Sequence, residues 1–189
     1  KDINLIQTLL PIHLLWINLV TDSLPALALA VDPAEADVME RKPLKHKGGV
    51  FTKGMTWRVI YQGIMIGLIT LAAFILGLST PGKTPEEKVL IGQTMAFYVL
   101  SLSELVHIFN IRNNHKSIFK TNPFNNGKLI LAGIISATLM FVILFTSHLR
   151  EIFSITLLPK DHIFEIILLV FSPLLIVELF KLLKINGKD

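Results

Sequence analysis

Long stretches without a charged residue constrain this chain more than any other feature. Residues 59–82 contain no Asp, Glu, Lys or Arg over 24 positions, and residues 129–147 and 3–21 each add 19 uncharged positions. About 20 mostly apolar residues are needed for a helix to cross the hydrocarbon core of a bilayer. Charged residues make up only 17% of the chain, against roughly 25% in a typical soluble domain. The sequence therefore predicts a polytopic membrane protein and argues against an ordinary soluble enzyme.

Five helical spans are predicted from hydropathy, turn residues and helix-start signals. Their bounds are 8–31, 56–79, 89–111, 128–149 and 163–184. The predicted fold class is all-α, a transmembrane bundle of five helices that occupies residues 1–189 as one domain. The chain has no cysteine, which excludes a disulfide framework, a thiolate metal site and a cysteine nucleophile. Because it starts with Lys1 and shows no signal-peptide pattern, we expect a fragment of a longer protein.

The positions of Lys and Arg predict the orientation, because short loops rich in these residues stay in the cytoplasm. Thirteen of the 18 cationic residues fall in segments 32–58 and 112–128 and in the C-terminal tail. We therefore expect a cytoplasmic C-terminus and, with five spans, an external N-terminus. The same bias explains the net charge of +4 without a nucleic-acid partner and leaves the lipid bilayer as the surrounding partner. Short outer loops and the lack of cysteine favour a bacterial plasma membrane.

Three oxygen-bearing side chains in the first predicted span mark a candidate cation site. Asn18, Thr21 and Asp22 are spaced by three and four residues, which places them on one helical face. Carboxylate, amide and hydroxyl oxygens are ligands that hard cations such as calcium prefer. Pro25 has no N–H to donate to the Thr21 carbonyl, so we expect an unwound turn over residues 22–25 that exposes carbonyls to a cation. The alternative is a kinked helix in which Asp22 pairs with a neighbouring helix.

Glu104 is a second carboxylate at membrane depth, in the third predicted span. Ionisable side chains at this depth are costly and usually face the interior of a bundle. If the spans bundle, Glu104 can add a carboxylate to the same cation site, but a protonated or hydrogen-bonded structural Glu explains the residue equally well. His107 and Asn110 continue a polar stripe along this helix. A single histidine is not in itself a metal site.

Other features have weaker functional interpretations. Glu165 and Glu178 lie toward opposite ends of the last predicted span, where we expect their side chains to reach the membrane interface. Gly63 and Gly67 form a G-x-x-x-G pattern, which permits close helix approach. The sequence contains no phosphate-binding glycine motif and no plausible pair of nucleophile and base, so the chain alone is predicted to have no catalytic or nucleotide-binding residues.

The run from Pro11 to Ala30, with Asn18-Leu19-Val20-Thr21-Asp22-Ser23-Leu24-Pro25 at its centre, resembles the sixth transmembrane helix of P-type cation pumps. It resembles in particular the calcium-transporting ATPases of the sarcoplasmic and endoplasmic reticulum type. The resemblance continues through Asp32-Pro33 and Arg41-Lys42-Pro43. The five predicted spans are similar in layout to spans six to ten of that family, so the resemblance covers essentially the whole chain.

The resemblance implies a set of ligands for transported Ca²⁺. Asn18, Thr21 and Asp22 look like the ligands of the sixth helix, and Glu104 looks like the carboxylate of the eighth helix that completes one of two sites. Pumps for sodium, potassium or protons generally carry Asp in place of Asn18, which favours calcium. The loop 32–56 is expected to transmit motion from the phosphorylation domain.

The same resemblance implies partners outside this chain. The full-length protein is expected to be a P-type calcium-transporting ATPase, in which an upstream part of the same polypeptide supplies spans one to five and the cytoplasmic domains. Those domains are expected to bind ATP and Mg²⁺. Two alternatives stay open: another P-type cation pump, or a non-catalytic membrane transporter or scaffold module in which Asp22 and Glu104 are merely paired.

Overall fold

The computed structural model describes residues 7–32, 53–112, 117–118 and 125–183. Across these ranges the regular structure is entirely helical, and five helices are long and apolar enough to cross a membrane. The prediction of an all-α bundle with five spans is confirmed. The predicted loop over residues 32–56 lies mostly outside the described residues, as does the basic tail after residue 183.

The first span, Pro11–Ala30, is built from three consecutive segments, and each of the other spans is one helix. The segments of the first span are α1 (Pro11–Trp16), a π-helix (Ile17–Asp22) and α2 (Ser23–Ala30). The remaining helices are α3 (Lys53–Leu78), α4 (Pro85–Ile111), α5 (Gly127–Phe145), the short α6 (Ser147–Phe153) and α7 (Asp161–Leu182). Thr146 has an extended backbone (φ −97°, ψ 116°), so α5 ends at Phe145 and not near the expected residue 149.

Local sequence explains the sharp connection between α3 and α4. Gly82 has φ +70°, a left-handed conformation that glycine adopts without steric cost. Thr84 then caps α4: its hydroxyl accepts the N–H of Glu87 at 3.3 Å, and the Glu87 carboxylate accepts the N–H of Thr84 at 2.9 Å. Pro85 occupies the first turn, where its missing N–H costs nothing. This reciprocal capping box fixes where α4 begins.

Pro173 lies inside α7, yet the helix continues through it. A proline cannot donate to the carbonyl four residues earlier, which here is that of Leu169. The hydroxyl of Ser172 donates to this carbonyl at 2.7 Å. The carbonyl of Pro173 in turn accepts from the side-chain amide of Asn110 in α4, at 3.4 Å. Side chains therefore supply partners for backbone groups that would otherwise face an apolar surround.

Helix α4 is the centre of the bundle. It is 67% buried over its membrane window, whereas the other four spans are 22–33% buried. Helix α3 approaches α4 so closely at Gly77 and Gly92 that a Cβ atom on Gly77 would overlap the backbone of Gly92. Around Gly63 and Gly67, by contrast, no atom of the described chain lies within 4 Å of a Cβ position. The close approach of these two spans thus uses different glycines from the predicted G-x-x-x-G pair.

Buried hydrogen bonds hold the first span against α5 and α6. His13 Nδ1 accepts the N–H of Leu10 at 3.3 Å, so Nε2 carries the proton and donates to the Phe153 carbonyl at 2.7 Å. Further along the span, the hydroxyl of Ser136 in α5 donates to the Val20 carbonyl at 2.7 Å. These contacts fix the position of the π-helix, and with it the residues of the candidate site.

Candidate cation site

The π-helix over Ile17–Asp22 is the main irregularity of the first span. The Ser23 hydroxyl donates to the Asn18 carbonyl at 2.6 Å, and the Thr21 hydroxyl donates to the Ile17 carbonyl at 2.9 Å. Because Pro25 offers no N–H to the Thr21 carbonyl, the helix widens in the turn before the proline. π-Helical turns of this kind are rare and occur often at functional sites.

The predicted unwound turn at residues 22–25 was wrong in position and in form. Asp22 and Ser23 keep right-handed helical backbone angles (φ −96°, ψ −52° and φ −67°, ψ −42°), and Pro25 lies inside α2. The helix therefore continues through the proline, and the irregularity lies one turn earlier, where the Ser23 hydroxyl binds the Asn18 carbonyl five residues before it.

The π-helix also changes which side chains share a face. Thr21 is buried at 2% exposure, while Asn18 and Asp22 are exposed on the described part of the chain. Thr21 and Asp22 border one open cavity of about 360 Å³, and Asn18 is not among its lining residues. We predicted that Asn18, Thr21 and Asp22 share one helical face. Of these three residues, only Thr21 and Asp22 line this cavity.

Asp22 and Glu104 meet in this cavity. The two carboxyl groups are close enough to interact electrostatically, and Thr21 lines the same cavity. Among the described lining residues there is no Lys or Arg. Two carboxylates that face each other at membrane depth repel each other unless a proton or a cation lies between them. Even if Asp22 and Glu104 are only structural partners, a proton or a cation must therefore balance their negative charges.

Two more polar side chains line the cavity. Gln62 of α3 borders it and donates to the Tyr61 hydroxyl at 3.1 Å; sequence reasoning missed this residue because a single Gln in an apolar helix carries no distinctive spacing. His107 lies one turn after Glu104 on α4 and is 3% exposed. The sequence did identify His107 as part of a polar stripe.

Buried polar atoms without a hydrogen-bond partner are concentrated on one face of α4. Within the described residues five such side-chain atoms occur, and four of them belong to this helix. They are Glu104 Oε2, both ring nitrogens of His107, and Asn110 Oδ1. Buried groups of this type normally bind water or an ion. The stripe is therefore chemically suited to a hydrated or ion-binding cavity.

The described segments do not bring three His, Asp or Glu side chains together in a way that would hold a metal ion. Calcium takes roughly six to eight oxygen ligands, whereas this cavity offers two carboxylates, one hydroxyl and one amide. The described residues of the cavity thus offer fewer oxygens than a complete calcium coordination shell needs. Asn18 and Asp22 are exposed on the described chain. Further ligands would have to reach the site from this exposed side.

Glu178, which we expect near the membrane interface, is buried by protein close to the C-terminal end of α7. It is 5% exposed and accepts hydrogen bonds from the Ser117 hydroxyl, the Ile118 N–H and the Lys181 ammonium group, the last at 2.9 Å. Segment 117–118 thus covers the carboxylate, and the location of Glu178 relative to the membrane interface stays a prediction. Glu165 is more exposed and pairs with His162 at 2.7 Å.

Residues 6–183 match the family model described as "Cation transporting ATPase, C-terminus". The chain is 40% identical over 187 residues to Calcium-transporting ATPase 1 of Bacillus cereus, covering 93% of this chain and 21% of that protein. It is 43% identical over 154 residues to the Calcium-transporting ATPase of Bacillus subtilis, covering 81% of this chain and 17% of that protein. It is 31% identical over 205 residues to the endoplasmic reticulum-type Calcium-transporting ATPase 3 of Arabidopsis thaliana, covering 95% of this chain and 20% of that protein. The chain thus spans about a fifth of the length of these relatives.

Proposed function

The chain belongs to the cation-transporting ATPase family, as its C-terminal region, and from this premise we propose that it forms the C-terminal membrane part of an ATP-driven calcium pump. It is an integral multi-pass membrane protein. The observation that carries the proposal is the pair of carboxyl groups, Asp22 and Glu104, facing one cavity at membrane depth. The names of the relatives, which are calcium-transporting ATPases, support calcium as the cargo.

In this proposal four side chains bind the transported ion. Asp22 and Glu104 supply negative charge, which a divalent cation needs once it leaves water for a cavity of low dielectric constant. Thr21 supplies a hydroxyl oxygen whose proton is already donated to the Ile17 carbonyl, so its lone pairs are available. Asn18 does not line this cavity, and its amide oxygen supplies a ligand from the exposed side of the first span. The remaining ligands come from upstream spans that pack against this side.

The energy source lies outside this chain. An upstream part of the same polypeptide, with spans one to five and the cytoplasmic domains, binds ATP and Mg²⁺ in this proposal. The low share of each relative that the chain covers supports such an upstream part. The C-terminus is cytoplasmic, as the distribution of Lys and Arg indicates. The two Bacillus relatives favour a bacterial plasma membrane as the location.

Cation-dependent phosphorylation of the full-length protein tests this function. Membrane vesicles are supplied with ATP and, separately, with calcium, sodium, potassium or only buffer, and the phosphoenzyme is measured. We expect phosphoenzyme formation that depends on calcium alone. Dependence on sodium or potassium would instead identify another cation pump, and the absence of any cation-dependent phosphoenzyme would favour a non-catalytic module.

A further inference from the structure

Three helix ends meet in a polar junction at the end of the first span. Asp32 follows α2, Arg112 follows α4, and Asn126 immediately precedes α5. Arg112 Nε donates to Asp32 Oδ2 at 2.7 Å, and Arg112 Nη2 donates to Asp32 Oδ1 at 3.0 Å. The two side chains are only 8% and 19% exposed. Such a two-point contact between guanidinium and carboxylate fixes orientation as well as distance.

Asn126 joins this ion pair to the backbone of two helices. Its side-chain nitrogen donates to Asp32 Oδ1 and to the Ala28 carbonyl, both at 3.1 Å. Its side-chain oxygen accepts the N–H of Leu129 at 2.9 Å. The Ala28 carbonyl is one of the last four of α2, which have no partner inside the helix. Asn126 therefore caps the end of the first span and the beginning of α5 at the same time.

The junction connects the two helices that carry the carboxylates of the candidate site. Asp32 lies ten residues after Asp22, and Arg112 lies eight residues after Glu104, about 15 Å and 12 Å along a helix. At the opposite end, the Gln93 side chain of α4 donates to the Gln7 carbonyl at 2.7 Å. The carboxylate pair thus lies between two polar contacts that link the same two segments.

We propose that Asp32, Arg112 and Asn126 are positioning residues for the cation site, because they set the axial height of Asp22 relative to Glu104. This inference rests on the proposed function. Calcium requires oxygens at roughly 2.3–2.6 Å, so a small axial slip of the first span along α4 takes one carboxylate out of reach. Loss of the junction therefore weakens ion binding while the phosphorylation chemistry, which takes place elsewhere, is retained.

The effect is measured in the full-length protein as the calcium concentration for half-maximal phosphoenzyme and, separately, as the maximal phosphoenzyme level. For Arg112→Gln and for Asp32→Asn we expect the required calcium concentration to rise roughly five- to tenfold, with the maximal level retained. Arg112→Lys keeps the positive charge but loses the two-point contact with Asp32. Its required calcium concentration should lie between those of the parent protein and Arg112→Gln. The matched control is Glu87→Gln, which breaks the exposed Lys83–Glu87 pair at the other end of α4 and should change neither quantity.

The double variant Asp32→Asn/Arg112→Gln tests whether the two residues act through each other. We expect it to need no more calcium than the worse single variant. Additive effects, or a parallel loss of the maximal phosphoenzyme level, would show a general structural role and overturn the inference. Unchanged calcium dependence in both single variants would overturn it as well.

A second measurement does not depend on pump activity. Ala26 and Ile108 both line the cavity, on the first span and on α4. Cysteines placed at these two positions, in an otherwise cysteine-free full-length protein, report the relative height of the helices through their rate of disulfide cross-linking. Arg112→Gln should slow the cross-linking severalfold, and an unchanged rate would overturn the inference. If the parent protein forms no calcium-dependent phosphoenzyme, the proposed function fails, and this rate still tests the junction.

Discussion

The carboxyl groups of Asp22 and Glu104 interact across one cavity although they belong to the first and third spans. The first span and α4 run side by side, and the buried bonds of His13 and Ser136 hold the first span in place on its other flank. The bundle brings the two carboxyl groups together from two helices, and the repulsion between them favours any cation that enters.

Asp22→Asn should abolish calcium-dependent phosphoenzyme formation in the full-length protein. The substitution keeps the size of the side chain and removes one of the two negative charges facing the cavity, and a divalent cation with a single carboxylate lacks charge compensation. Phosphoenzyme is measured from ATP over a range of calcium concentrations. Glu151→Gln serves as control, because it removes a carboxylate that is exposed on α6. Normal calcium dependence in Asp22→Asn would contradict the assignment of this residue.

Glu104→Gln should raise the calcium concentration for half-maximal phosphoenzyme at least tenfold, which corresponds to about 1.4 kcal/mol. It should also reduce counter-transport of protons, because two adjacent carboxylates that have released calcium need a positive charge that a proton can supply. Calcium uptake and luminal pH are measured together in sealed vesicles, with Glu151→Gln again as control. An effect as small as that of the control would show that Glu104 is structural and would leave only the ligands of the first span.

Much of the architecture follows from the sequence because its signals are local. Uncharged stretches near 20 residues predict the spans, although the predicted start of the third span at residue 89 lies four residues after the observed start of α4 at Pro85. Their depth in the predicted spans also singles out Asp22 and Glu104, the two carboxylates that line the cavity, although the sequence left a structural role for Glu104 equally open. These inferences use hydropathy, helix capping and oxygen chemistry, each of which acts within a few residues.

What the sequence could not supply depends on contacts between distant residues. The proline alone does not indicate that the first span forms a π-helix over Ile17–Asp22, nor that Asn18 lies outside the cavity lined by Thr21 and Asp22. The bidentate contact between Asp32 and Arg112 joins the end of α2 to the end of α4. No sequence pattern indicates that these two residues pair. The burial of Glu178 could not be predicted from its position near the end of α7. The neighbouring sequence does not indicate that segment 117–118 covers its carboxylate.

Glu178→Gln should lower the stability of the protein by about 3 kcal/mol, because it removes one of the two charges of the buried Glu178–Lys181 ion pair. The side chains of Lys181 and Glu178 are only 4% and 6% exposed. Thermal unfolding of the purified full-length protein in detergent measures the change. Glu165→Gln provides a comparison on the same helix, since the Glu165 side chain is 37% exposed. Equal unfolding temperatures for the two variants would contradict the buried location of Glu178.

Gly77→Ala should destabilise the packing of α3 on α4, because the added methyl group would overlap the backbone of Gly92, which no side-chain rotation can relieve. Forcing an extra carbon into a packed contact typically costs about 1–3 kcal/mol. Thermal unfolding in detergent is again the measurement, with Gly133→Ala in α5 as the matched control. That position has no atom of the described chain within 4 Å of the new carbon, and alanine is the better helix former, so the control should be neutral or slightly stabilising. A Gly77→Ala protein as stable as the Gly133→Ala protein would mean that α3 and α4 do not touch through these two glycines, and that the central position of α4 is maintained by its other contacts.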